Sequence, residues 1–435
     1  MILCISTRED IDSLILKKLW VRDMAGRKKW EQLLRIVGVV GPALITVNAG
    51  NDAGGIATYA SIGANYGYKM LWGLLIITIA LAVIQEMNAR MAVVTGKGLS
   101  DLIREEFGVG WTLFAMVTLL VANIGVVMGD FAGVASSMEL FGIPRYISVP
   151  VMAFLVWYLV LRGTYERVEK VFLVFTLFFF AYIFSAFLAK PSWGEVGKAV
   201  ITPTLELNRP FLLTFIGMIG TTITPYMQFY LQSSIAEKRI SWKDYFYEKV
   251  DVYFSAIWGE LVAFFIIIST AATLYVAGIS VDSAAEAALA LKPLAGEFAF
   301  LLFGLGLFGA SVLATAIIPL STTYAICEAF GWERGVNYSF REAPVFFGLY
   351  TAIIVLGAAV VLIPSLSLFK VMVVTQQIAG ILSPVILIFM IKLVNNPRVM
   401  GEHVNTRLQN VIAWLTVLFI IFLTLTLVLV QGLGL

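Results

Sequence analysis

The chain has 435 residues, of which 60% are hydrophobic and 13% charged, with 30 Lys and Arg against 28 Asp and Glu. Soluble domains carry roughly a quarter charged residues, so this composition excludes a soluble enzyme or nucleic-acid binder and indicates an integral membrane protein. A formal net charge of +2 calls for no polyanionic partner, and the placement of the charges along the chain is what informs.

Residues 1–35 hold Lys17, Lys18, Arg22, Arg27, Lys28, Lys29 and Arg35 and lack the apolar core and small-residue cleavage site of a signal peptide. They read as a cytoplasmic leader, and 36–435 as a single transmembrane domain. Apolar runs long enough to cross a bilayer as helices fall near 37–64, 69–92, 111–139, 145–163, 168–189, 210–235, 253–278, 298–327, 345–363, 366–393 and 410–431. No two-residue alternation of the barrel kind runs through them. The predicted class is therefore all-α, with about 11 transmembrane helices. Placing the N-terminus inside puts most Lys and Arg in inner connections, including Lys238, Arg239, Lys243 and Lys249, and predicts a multi-pass plasma or inner membrane protein with a cytoplasmic N-terminus.

Two spans interrupt their own helical pattern near mid-membrane. In the first, Val47-Asn48-Ala49-Gly50-Asn51-Asp52-Ala53-Gly54-Gly55 sets glycines, asparagines and a carboxylate inside an apolar run. A helical glycine costs about 1 kcal/mol, and a central Asp about 2.5 kcal/mol or more. In the sixth, Gly220-Thr221-Thr222-Ile223-Thr224-Pro225-Tyr226-Met227-Gln228 contains a proline that frees carbonyls one turn earlier. Such backbone survives in a membrane only where it lines a cavity or is buried in protein. The interrupted spans are five apart, which predicts a 5+5 inverted repeat, 37–189 and 210–393, with a midplane substrate site and an appended helix over 410–431.

These residues resemble the NRAMP divalent-metal transporters. The likeness is carried by Gly41-Pro42-Ala43, Asp52-Ala53-Gly54-Gly55, Gly67-Tyr68-Lys69-Met70-Leu71-Trp72, Ala89-Arg90, Val94-Thr95-Gly96-Lys97-Gly98-Leu99, Leu102-Ile103-Arg104-Glu105 and Phe141-Gly142-Ile143-Pro144. The resemblance implies a LeuT-type fold with broken helices 1 and 6, alternating access, and a divalent cation as cargo. It also implies a metal site. The family's first-helix Asp-Pro-Gly-Asn is here Asp52-Ala53-Gly54-Gly55, keeping the Asp and placing Gly55 where the ligating Asn would be. Its sixth-helix Met-Pro-His is Thr224-Pro225-Tyr226, its backbone carbonyl ligand falls on Thr221, and its tenth-helix Gln on Gln376.

The departures bear on selectivity. Thioether ligands favour softer transition metals, whereas carboxylate, hydroxyl, carbonyl and water suit Mg²⁺. With Thr224 for Met and Gly55 for Asn, the site loses its sulfur and gains room, which suits a largely hydrated ion held through one carboxylate. The set resembles the NRAMP-related magnesium transporter branch and predicts Mg²⁺ uptake, with Mn²⁺ also carried. The family's titratable positions appear as Tyr226, Gln232 and Gly133, which predicts transport without proton coupling. The alternatives are a proton-coupled Mn²⁺ or Fe²⁺ symporter and an amino-acid or organic-cation carrier of the same fold.

Asp130 lies in a stretch resembling the family's proton-passage segment, with its role open. Glu86, Glu139, Glu260 and Glu328 are expected near span ends as solvated carboxylates, with Glu86 and Glu260 toward the inside. Cys4, Cys327 and His403 are too few and too scattered for a zinc site or a nucleophile with its base, so no resident cofactor and no enzyme activity are expected. The expected partners are the divalent ion and membrane lipid, with no nucleic acid and no obligate protein partner.

Overall fold

The computed structural model describes residues 51–162, 180–336 and 338–433. The leader, the inner half of the first span and the start of the fifth lie outside the described residues. Thirteen principal helices follow: α1 Ala53–Tyr66, α2 Leu71–Thr95, α3 Leu99–Leu140, α4 Arg145–Leu161, α5 Phe180–Leu188, α6 Trp193–Ile201, α7 Arg209–Thr222, α8 Pro225–Glu237, α9 Tyr245–Thr270, α10 Ala299–Phe330, α11 Pro344–Val361, α12 Leu368–Val394 and α13 Arg407–Leu433. Short helical turns fill the link between α9 and α10. Eight helical stretches among the described residues are long and apolar enough to cross a membrane, and α4 is a shorter apolar helix. Every regular element among the described residues is helical, as expected for an all-α membrane protein.

Local chemistry sets the helix ends. Gly96 and Gly331 close α2 and α10 in the left-handed conformation, φ 65° and 70°. Asn208 caps α7 by accepting from the Phe211 amide, and Pro225 and Pro344 occupy the first turns of α8 and α11, where no amide partner is needed.

Helix α3 lies between α10 and α12 and packs along both, while α7 crosses α12 and α9 packs on α1 and α2. Their buried side chains form a continuous core around Tyr59, Phe131, Phe215 and Tyr226. The appended α13 rests on α12, α7 and α2 and leaves Leu415, Leu418, Leu425 and Val428 exposed on its outer face.

Within Leu99–Leu140, Gly108 at φ 75° and ψ 179° is not helical and separates a short leading helix from the long apolar one, whose start agrees with the span read from about 111. One span boundary differs from the hydropathy reading: the seventh begins at Tyr245 rather than 253, its first turns carrying Glu248 and Asp251, both buried. That shift moves Glu260 from a span end to a helix interior. Glu86 is also interior and buried, bound to Arg90, Tyr245 and Gln409. Only Glu139 keeps the expected partly exposed place, paired to Arg145 at 2.9 Å. The opposite faces of the bundle are tied differently. On one, the exposed Lys69 and Glu206 pair at 2.7 Å, lifting the Lys69 pKa and lowering that of Glu206. On the other lies the buried Glu86–Arg90 group.

Candidate functional site

The first break is organised around Asp52. It caps α1 in an extended conformation, and its Oδ1 accepts from the Gly55 amide at 2.6 Å. The exposed amides of a helix N-terminus favour an anion there. From α12, Gln376 Nε2 donates to Oδ1 at 3.1 Å and Oδ2 at 3.2 Å. The next amide, Ala53, donates to Asp130 Oδ1 at 3.4 Å. Asp52, Asp130 and Gln376 are all buried. Asp130, left open by the sequence, thus stands beside the same helix end as Asp52.

The second break lies between α7 and α8, at Ile223 and Thr224. Thr224 Oγ1 donates to the Gly220 and Thr221 carbonyls at 2.9 and 3.0 Å. The Ser383 hydroxyl lies 2.8 Å from the Ile223 carbonyl, and Gln228 Nε2 donates to the Thr224 carbonyl at 3.4 Å. The carbonyls freed by Pro225 are therefore satisfied by neighbouring side chains, as interrupted membrane helices require.

Of the predicted ligands, the structure joins Asp52, Gly55 and Gln376 in one hydrogen-bonded group and Thr221 and Thr224 in another. The groups meet where Gly220 packs on the Gln376 backbone carbonyl and on Gly380, a contact that leaves no room for a Cβ. Gly55 supplies its amide to Asp52. Four buried polar atoms around the breaks lack a hydrogen-bond partner: Gln376 Oε1, Asp130 Oδ2, Thr221 Oγ1 and the Tyr226 hydroxyl. No three His, Cys, Asp or Glu side chains gather to hold a metal among the described residues. The donor set is one capped carboxylate with neutral oxygens around it. A half-turn of the Gln376 amide exchanges its nitrogen for its partnerless oxygen beside Asp52.

Sequence reasoning missed Glu260. Its Oε2 accepts from the Tyr59 hydroxyl at 3.5 Å and from Thr222 Oγ1 at 3.4 Å, and Tyr59 and Thr222 lie 2.9 Å apart. One buried carboxylate thus ties α9 to both broken spans. Its partners are 201 and 38 residues away, so no local spacing announces the arrangement. Glu86 did have a local signal, an Arg four residues later inside an apolar helix. Gly133, which stands where the resemblance expects a Glu, packs against Ala53 and Ser311 with no space for a side chain. His403 stacks on Trp242, with ring centroids 3.9 Å apart, away from both breaks.

Curated relatives include two named divalent metal cation transporter MntH. That of Bacillus subtilis (strain 168) is 26% identical over 400 residues, 89% of this chain and 91% of the relative. That of Erwinia tasmaniensis is 28% identical over 395 residues, 88% and 92% respectively. Among solved structures, an Eremococcus coleocola manganese transporter in complex with an aromatic bis-isothiourea compound superposes with a TM-score of 0.68 at 19% identity, covering 93% of this chain and 87% of that one. MhsT in complex with L-phenylalanine superposes with a TM-score of 0.59 at 14% identity, covering 90% and 97%. The family model described as natural resistance-associated macrophage protein-like matches residues 43–430, and the chain belongs to that family, Nramp.

Proposed function

We propose that the protein carries divalent metal cations across the membrane by alternating access, with Mg²⁺ as the preferred ion and Mn²⁺ also accepted. The observation that carries this reading is the buried Asp52–Gln376 pair, in which a capped carboxylate accepts from an amide nitrogen and the amide's own oxygen has no partner. Asp52 supplies the charge, Gln376, the Thr221 carbonyl and Thr224 supply neutral oxygens, and Gly55 leaves space for retained water. Relatives named as divalent metal cation transporters and a manganese transporter of the same fold support a divalent cargo. The preference for Mg²⁺ rests on the all-oxygen donor set. The basic connections support an orientation with the N-terminus in the cytoplasm of a plasma or inner membrane.

Asp52→Asn keeps the side chain's shape and removes its charge. Flux of Mg²⁺ and Mn²⁺ into proteoliposomes is expected to fall at least about a hundredfold, roughly 2.7 kcal/mol, while size exclusion shows folded protein. Wild-type flux would rule out Asp52 as the cargo's ligand.

Transport proceeds without protons in this reading, since Tyr226, Gln232 and Gly133 stand where titratable groups would be and Gly133 has no space for one. A membrane potential supplies about 2.3 kcal/mol per charge per 100 mV, and roughly twice that for a divalent ion. A second reading, proton-coupled Mn²⁺ symport, is favoured by Asp130, whose Oδ2 is buried without a partner beside the Asp52 helix end. A pH-sensitive dye inside liposomes during cation influx at clamped voltage separates them. Steady luminal pH supports uniport, and acidification that requires both the cation and Asp52 supports symport.

A further inference from the structure

A cavity of about 290 Å³ opens beyond the far end of α8. It is lined by Asp101, Ser233, Glu237, Arg239, Glu328 and Arg334, together with three small residues. With the N-terminus inside, the α2–α3 link, the end of α8 and the end of α10 place it at the inner mouth. The lining thus carries three carboxyl groups and two guanidinium groups.

Glu328 is the distinctive member. It is 6% exposed, and its Oε2 accepts from Ser233 at 3.3 Å. Its Oε1 is buried with no hydrogen-bond donor. The Asp101 carboxyl faces it, with Arg334 as the charged neighbour of opposite sign. Gly98 lies so close to the Glu328 carboxylate that a Cβ there would strike it, so the acid is held in place by backbone rather than by a basic side chain. Two carboxyl groups turned toward each other, one of them buried without a donor, present oxygens that only a proton or a cation satisfies.

The cavity connects to the helix breaks through α8. Thr224, Gln228 and Gln232 follow one another at four-residue steps on one face, and 13 residues at about 1.5 Å each span roughly 20 Å. Along that face, Asn88 donates to Gln228 at 2.6 Å while its own Oδ1 is buried without a partner, as is Gln232 Oε1. Partnerless acceptor oxygens thus step from Gln376 past Asn88 and Gln232 to Glu328. Unmet carbonyl and carboxylate oxygens are groups that a cation and its hydration water complete.

We infer that Asp101 and Glu328 form a second, weak divalent-cation site at the inner mouth, where the ion is released after leaving Asp52. This rests on the carrier reading above. Two carboxylates and retained water suit a hard divalent ion. Arg334 opposes it, and an exit site has to bind weakly enough to let go.

The test is electron paramagnetic resonance of Mn²⁺ titrated into the purified full-length protein, read as bound ions per chain. The wild type is expected to show a tighter class, lost in Asp52→Asn, and a weaker class with a Kd on the order of 1 mM. Glu328→Gln and Asp101→Asn should each abolish the weaker class and spare the tighter one. Arg334→Gln changes an exposed residue and should tighten the weaker class about threefold at low salt, with the gain shrinking as ionic strength rises. A misfolded variant does not gain affinity, so this arm stands if the acid variants fail to fold. A weaker class that persists in Glu328→Gln, is absent from the wild type, or ignores Arg334→Gln overturns the site. Failure of the carrier reading shows separately, as a tighter class indifferent to Asp52→Asn.

Discussion

Both helix breaks press on Gln376, from different sides and through different atoms. At the first, a Cβ on Gly54 would meet the Gln376 side chain at its amide nitrogen, Cδ and Cγ. At the second, a Cβ on Gly220 would meet the Gln376 backbone carbonyl and the Gly380 backbone, while one on Gly380 would meet the Ile216 carbonyl. The first contact yields by rotating a side chain, and the second yields only by separating α7 from α12. A carrier needs one element that moves and one against which it moves. This contrast predicts that α1 shifts relative to Gln376 while α7 and α12 travel as a unit.

Gly220→Ala attacks the rigid side and should have the largest effect. Wedging a methyl between two backbones is overpacking without a rotamer to absorb it, with an expected cost of about 3 kcal/mol or more. The measurement is thermal unfolding in detergent with size exclusion. An unchanged midpoint would mean that α7 and α12 part freely and would dissolve the contrast.

Gly54→Ala attacks the adjustable side and should leave the fold intact. The added methyl displaces the Gln376 amide and breaks both of its hydrogen bonds to Asp52. Divalent-ion affinity should fall about tenfold, or 1.4 kcal/mol. Gln376→Ala should do the same, and the double variant should be no worse than either alone, because both remove one interaction. Losses that multiply in the double variant would show that Gly54 acts by another route.

Much of this organisation was legible in the sequence, for identifiable reasons. Hydropathy reveals spans, and Pro225 and the glycines around Asp52 reveal breaks, because each violates a local rule of helix chemistry. Asp52 stood out because a mid-membrane carboxylate is costly. What stayed hidden depends on distant partners. Asp130 meets Ala53 across 77 residues, and Glu260 is reached by Tyr59 and Thr222, which only the fold brings together. The start of α9 was hidden for another reason. Glu248, Lys249 and Asp251 depress hydropathy there, yet the helix runs through them and buries both acids against its neighbours.

Thr224 bears on the neutral half of the contrast, where effects should be smallest. Its hydroxyl is turned back onto the Gly220 and Thr221 carbonyls, so as it stands it screens both. Thr224→Met removes that screen and adds a polarisable sulfur, and it should raise the preference for Cd²⁺ or Mn²⁺ over Mg²⁺ by up to about tenfold, 1.4 kcal/mol. Thr224→Val removes the hydroxyl without adding sulfur and should only free the Gly220 and Thr221 carbonyls from it. That strengthens an oxygen ligand and leaves the ratio of soft to hard ions near its wild-type value. Competition of Cd²⁺ against Mg²⁺ uptake in the three proteins makes the comparison. If Thr224→Met and Thr224→Val shift the ratio equally, the sulfur does not reach the ion. Selectivity then lies at the carbonyl, and the second break contributes backbone rather than side-chain chemistry, as it does in its contact with α12.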